Sequence, residues 1–166
     1  MVVLASLRDR TCELWAEHNP GLDTSPMEVV AQVKRIVSLL DKAVEPVYEG
    51  TAVTTAEVDL LVPLRYAEEP ITASRLAELL SMTRAGVSKT LAKLERRGLI
   101  TRTPSSSDRR AAVIAMTPSG CSVIDELFPR ELAAHGALLA GLDRDRDRVL
   151  RALERLATAM EEQLDR

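Results

Sequence analysis

Eight lysines and arginines fall between residues 84 and 110 (Arg84, Lys89, Lys93, Arg96, Arg97, Arg102, Arg109 and Arg110), against two acids, Glu95 and Asp108, a local balance of +6. The whole chain carries −3, so everything outside that stretch sums to −9. Such an asymmetry gives the molecule a directional field, with one face drawn to a polyanion and the acidic remainder turned away. The chemistry on offer is charge pairing with phosphates and contact with base edges, not bond making. The pattern holds no nucleophile beside a base, no phosphate-cradling glycine loop and no cluster of metal ligands. His18, His135, Cys12 and Cys121 are scattered along the chain, so it reads as neither an enzyme nor a metal- or cofactor-dependent protein.

Two short helices and a hairpin must carry those charges. Thr72 is an N-cap candidate for a helix whose Leu76, Leu79 and Leu80 share a face, and Ser81 and Met82 make a turn. Thr83 caps a second helix, in which Val87, Leu91 and Leu94 form one narrow inward stripe. Its other faces hold Arg84, Ser88, Lys89 and Lys93, with Ala85 and Gly86 at early positions where a longer side chain could reach a base. Direct readout is expected from Arg84, Ser88 and Lys89, and the remaining positions are read through shape. Gly98 stands where the helix must stop. Leu99 to Thr103 and Ala111 to Met116 are candidate strands, and Asp108, Arg109 and Arg110 occupy the tip between them. Helix, turn, helix and hairpin in this order predict a mainly α protein with a small β-hairpin wing, a winged helix-turn-helix.

The segments SRLAELLSMTRAGVSKTLAKLERRGLI and SSSDRRAAVIAMTPSG resemble the multiple antibiotic resistance regulator (MarR) family. The wing is the most specific part, and the resemblance covers roughly residues 27 to 162. It implies that residues 83–97 enter the major groove of double-stranded DNA. Asp108 and Arg110 match the family's Asp-x-Arg wing, in which the arginine enters the minor groove and the aspartate steadies it. It also implies a homodimer built from the first and last long helices, whose paired reading helices, ~34 Å apart, match a palindromic operator.

The rest of the chain fits that plan. At 166 residues, 46% apolar and 28% charged, it suits one domain or two closely joined lobes, and scarce aromatics leave the core to aliphatic helices. Met1 to Leu7 lacks the basic start and cleavage site of a signal peptide, and no apolar run reaches membrane-spanning length. Two cysteines outside any metal or redox spacing fit a reducing cytoplasm. A helix is expected over residues 3–18, ended by Asn19, Pro20 and Gly21. Ser25, Pro26 and Glu28 signal the start of a long helix through Val47, and Thr54 with Glu57 a capping box opening a helix through Ala67 that contains Pro63. Thr117 and Pro118 start another helix, bent at Pro129 and closed by Gly141, and the last helix follows Asp143. The division expected is an extra N-terminal helix and linker (1–24), a helical dimerisation lobe (25–50 and 118–166) and a winged helix-turn-helix DNA-binding lobe (54–117). The bare aliphatic faces of the terminal helices call for a second copy.

The helix before Ser25, with Trp15 in LWAEHN, Asp59 in AEVDLL, Arg102 in GLITR and the helix around Phe128-Pro129, resembles the urate-responsive branch of the family. That resemblance implies a ligand between the lobes. Trp15 and Arg102 would contact a small anionic aromatic such as urate, and Asp59 would link the site to the reading helix. Where the branch has an arginine in that helix, this chain has Thr90. The function implied is a ligand-released repressor. Alternatives are a winged-helix protein-interaction module without specific DNA binding, and a regulator responding to redox state, through Cys12, instead of a ligand.

Overall fold

Four threonines start the helices at the centre of the molecule. Thr54, Thr72, Thr83 and Thr117 each have extended backbone, and each hydroxyl accepts from the amide three residues on, that of Glu57, Arg75, Gly86 or Gly120. In the computed structural model, which describes residues 7–104 and 112–164, they open α3 (Thr55–Arg65), α4 (Ala73–Leu79), α5 (Arg84–Arg96) and α6 (Pro118–Leu139). Before them come α1 (Leu7–His18) and α2 (Pro26–Tyr48), and after them a 3-10 turn (Ala140–Asp145) and α7 (Arg146–Leu164). Three strands, β1 (Ile71–Thr72), β2 (Ile100–Pro104) and β3 (Ala112–Met116), form one antiparallel sheet in the order β1-β3-β2. Ile114 lies opposite both Ile71 and Arg102.

The mainly α fold with a β-hairpin is as the sequence predicts, with several local differences. Ser25 does not cap α2: its backbone is already helical (φ −55°, ψ −35°), and the Asp23 carboxylate accepts from its amide at 3.0 Å. α3 stops at Arg65, two residues short of Ala67, where the Arg65 guanidinium stacks 4.5 Å from the Tyr66 ring centroid. β1 is an added strand, too short to show any alternation in sequence. Gly141 lies inside the 3-10 turn, and the left-handed residue at that break is Asp143 (φ 36°).

The end of α5 follows the expected rule closely. Gly98 takes φ +69°, with its amide bonded to Glu95 O and that of Leu99 to Leu94 O, the paired bonds of a Schellman cap. α4 ends the same way on Ser81 (φ 50°), with bonds from Ser81 to Glu78 O and from Met82 to Ala77 O.

The core lies among α3, α4, α5, the sheet and the first half of α6, with Leu60, Leu61, Leu76, Val87, Leu91 and Leu94 fully sealed. The arms are different. α7 buries none of its residues, and α2 buries only Val44 and Val47. Val29, Val30, Ile36 and Val37 of α2, Leu138 and Leu139 of α6, and Leu150, Leu153 and Met160 of α7 stay exposed.

α6 begins against the end of α5. The Thr117 amide donates to Leu99 O at 3.1 Å, and a Cβ added to Gly120 would lie 2.1 Å from that same oxygen. Gly120→Ala should therefore destabilise the protein by about 1–3 kcal/mol. Gly136→Ala, elsewhere in α6 with no atom within 4 Å, should be neutral or stabilise by up to about 1 kcal/mol. Urea denaturation of both variants checks this, and equal midpoints would show that the α5–α6 junction is not tight.

Candidate nucleic-acid interface

The rotation of α5 decides which side chains face out. Val87, Leu91 and Leu94 have no solvent exposure, so Ala85, Ser88, Lys89, Lys93 and Arg96 make one exposed stripe on the opposite side. Arg84 and Ala85 begin the helix, where the aligned peptide dipoles leave positive charge. Gly86 is held close to the cap, since an added Cβ would lie 3.0 Å from Thr83 Oγ1. Thr90 turns back on the helix, its hydroxyl donating to Gly86 O at 3.1 Å.

The cations divide by partner. Lys89, Lys93 and Arg96 have no ion pair among the described residues. Arg84 lies 3.4 Å from Glu78, both exposed, a contact of little strength. Arg97 and Arg102 turn inward. Arg97 Nη1 donates to Glu57 Oε2 at 2.9 Å. Arg102 places Nε 3.2 Å from Glu95 Oε2 and donates from Nη2 to Ser88 O at 3.4 Å. Of the eight cations in residues 84–110, these two are therefore engaged by acids of the chain itself. Asp108, Arg109 and Arg110, the wing-tip residues, lie outside the described residues.

Sequence reasoning missed both acid partners. Glu57 is legible as a cap residue, since its carboxylate accepts from the Thr54 amide at 2.9 Å, but its bond to Arg97 spans 40 positions. Burial pushes the Glu57 carboxyl up, yet the Thr54 amide and Arg97 together outweigh it and leave the group below its ordinary value.

The candidate sensor residues are spread over three elements. Trp15, on α1, is 50% exposed. Asp59, on α3, faces Asp41 of α2 and Glu131 and His135 of α6, and Tyr48 donates a short hydrogen bond to Glu131. Asp59 keeps an exposed edge, but desolvation, then Glu131 and Asp41, raise its pKa against a smaller opposing effect of His135. Arg102 lies on β2 beside α5. Three cavities stand out. One of about 740 Å³ lies among α1, α2 and α7 and is lined by Cys12, Glu28, Val33 and Leu153 among others; one of about 560 Å³ is bounded by residues 50–53, Arg97, Leu99 and the start of α6; and one of about 310 Å³ lies between α1 and α2. Trp15, Asp59 and Arg102 line none of them. Cys12 and Cys121 are free thiols, each half-buried. Among the described residues no group of His, Cys, Asp and Glu could hold a metal ion, and no helix is long and apolar enough to cross a membrane.

Residues 53–111 match the model of the MarR family. The chain is 28% identical to the HTH-type transcriptional regulator PecS of Dickeya dadantii, over 84% of this chain and 85% of PecS. Among solved structures it resembles the S. aureus MepR–DNA complex, with TM-score 0.73 and 20% identity over 78% of this chain and 96% of that one. It also resembles CouR, solved on a 23-mer DNA duplex (TM-score 0.67, 26% identity, 76% of this chain and 89% of that one) and, from Rhodococcus jostii RHA1, bound to p-coumaroyl-CoA (TM-score 0.66, 23% identity, 78% and 91%).

Two expectations follow from this arrangement. DNA affinity should fall linearly with salt on logarithmic axes, and Lys93→Ala should lower that slope by about one per protomer, whereas Arg102→Ala should leave it unchanged. Fluorescence anisotropy across a salt series decides; an equal drop for both would make Arg102 an outward phosphate contact. Because the folded state disfavours ionised Asp59, that group's contribution to stability falls as pH rises from its ordinary value of 3.8 through its raised folded value. Asp59→Asn should therefore raise the melting temperature at pH 7, a gain that shrinks in scans taken below 3.8.

Proposed function

We propose that this chain is a member of the MarR family, whose model its residues 53–111 match, and a sequence-specific DNA-binding regulator acting as a homodimeric repressor on a palindromic operator. The observation that carries the reading is α5, whose apolar stripe is sealed in the core while Ser88, Lys89, Lys93 and Arg96 face out together with no described ion-pair partner for the three cations. In the complex α5 enters the major groove. Arg84, Ser88 and Lys89 reach base edges, Lys93 pairs with phosphate, and Ala85 allows close approach at the helix start. Arg110 reads the adjacent minor groove, Asp108 steadies it, and Arg109 adds charge at the tip.

The dimer forms through the arms. Val29, Val30, Ile36 and Val37 on α2 and Leu150, Leu153 and Met160 on α7 are large apolar side chains left exposed, as at a protein–protein contact. Residues 25–50 and 118–166 then make the dimerisation lobe, residues 54–117 the DNA-binding lobe, and α1 with its linker an addition of this branch.

Release follows from the position of Arg102. A small anionic aromatic, urate in the branch this chain resembles, recruits Arg102 with Trp15 alongside, and in doing so takes the guanidinium from Glu95. β2 is then no longer held to α5, and the wing and reading helix lose their mutual setting. Asp59, already crowded by acids, is repelled by the incoming charge. CouR, with structures on DNA and on p-coumaroyl-CoA, supports a ligand-responsive reading.

The test is a mobility-shift assay on the DNA upstream of the protein's own gene, with and without urate. Wild type should bind and be released, Arg102→Ala, which lacks the same tie to Glu95 and Ser88, should bind more weakly and respond no further to urate, and Leu153→Glu should sediment as a monomer with affinity reduced about 100-fold or more, since one half-site is lost. A Leu153→Glu protein that remains dimeric, or an Arg102→Ala protein that still responds, would remove the dimer face or the sensor residue from this reading.

A further inference from the structure

We propose that Glu57 is a positioning residue for operator binding. Through Arg97 it fixes where the C-terminal end of α5 lies, and with it the separation of the two reading helices in a dimer. The inference rests on the DNA-binding reading above.

Glu57 is a charged side chain in the core, 6% exposed. Capping α3 does not require this. A capping carboxylate needs only to reach the amide of the cap residue, which it does as well from a solvated position. Here the same oxygen that accepts from the Thr54 amide, at 2.9 Å, also accepts from Arg97 Nη1 at 2.9 Å. A carboxylate taken this far out of water is costly unless a cation accompanies it, so Arg97 is held where Glu57 is.

Arg97 is the C-cap of α5, its amide bonded to Lys93 O and Gly98 following at φ +69°. The other side of this turn is gripped by α6: the Thr117 hydroxyl donates to Gly98 O at 2.7 Å and the Thr117 amide to Leu99 O at 3.1 Å. α3 and α6 are themselves joined by a two-pronged bond, Arg65 Nε and Nη2 to the Asp125 carboxylate at 2.7 and 2.8 Å. α6 in turn packs on α2, which carries one of the bare apolar faces. The end of the reading helix is thus tied by polar contacts to α3 and α6, and through the packing of α6 to α2. Arg97, counted by type as a DNA cation, is used internally, and a guanidinium paired with a core carboxylate releases no counterion from DNA.

The experiment measures affinity for the native operator and for one with an extra base pair between half-sites, across a salt series, for wild type, Glu57→Gln, Arg97→Ala and Arg97→Lys. Glu57→Gln keeps an oxygen for the Thr54 amide but loses the charge, and the Arg97 variants leave the capping box intact. Sedimentation and circular dichroism first confirm folded dimers. Glu57→Gln and Arg97→Ala should each bind the native operator about tenfold more weakly. They should also lose most of the discrimination between the two spacings, with unchanged salt slope, and Arg97→Lys should recover at least part of both. A slope reduced by about one per protomer in Arg97→Ala would overturn the proposal by making Arg97 a phosphate contact. Intact spacing discrimination with affinity that follows thermal stability would overturn it by making Glu57 a cap alone. A wild type that prefers no operator over random DNA would instead refute the regulatory reading and the proposal with it.

Discussion

The angular setting of α5 about its own axis is the constraint on which the surface depends. Val87, Leu91 and Leu94 each lie at 0% exposure, and burying each of these side chains is worth about 1.5–3 kcal/mol. The exposed ion pairs around the helix, such as Arg84 with Glu78, are worth at most about 1 kcal/mol apiece. A turn of the helix by one residue, about 100°, would bring apolar side chains into water and a lysine or arginine toward the core. The core therefore chooses the outward stripe, and the charges accept the orientation that packing imposes.

Charge then acts at two depths. Lys89, Lys93 and Arg96 are exposed, where their value lies in attraction to a polyanion. Arg97 and Arg102 serve geometry. The first joins α5 to α3 through Glu57, and the second joins β2 to α5 through Glu95 and the Ser88 carbonyl. At Arg102 arginine suits the position better than lysine, because a planar fork can meet a carboxylate and a second acceptor without reorganising. The same residue type therefore contributes to affinity in one place and to shape in another, and only its neighbours tell which.

That distinction marks the limit of what the sequence makes legible. Signals confined to a few residues are readable: the threonine caps at 54, 72, 83 and 117, the capping box with Glu57 and the glycine stop at 98 all depend on atoms three or four positions apart. Apolar spacing likewise gives the inward stripe of α5, because period and burial are the same fact. Ser25 shows where local chemistry misleads, since the Asp23 carboxylate accepts from its amide and the serine backbone is already helical. Gly141 shows it again: the backbone needed one left-handed residue, and Asp143, a type that tolerates that region, supplies it. β1 exists only because β3 lies beside it, and two residues carry no period of their own. The bonds of Arg97 and Arg102 are tertiary and have no local signature. The tip residues Asp108, Arg109 and Arg110 lie outside the described residues, so their part in the interface rests on sequence alone.

The contrast between a saturated centre and unsaturated arms has a thermodynamic consequence. Around α3, α4 and α5 the apolar side chains are nearly all covered within one chain, so this unit holds its shape without assistance. α7 covers none of its residues, and much of α2 is bare. Most of a helix's stability in a protein comes from packing its apolar face, and on these arms much of that face is unpacked within the chain. If the arms pair as proposed, chain concentration would enter their stability by mass action while leaving the reading unit largely unaffected. A regulator built this way separates two requirements. In the homodimer proposed above, the shape of the reading surface would be intrinsic to each chain and the spacing between two such surfaces would exist only in the pair, with the polar ties of α5 to α3 and α6 linking one to the other.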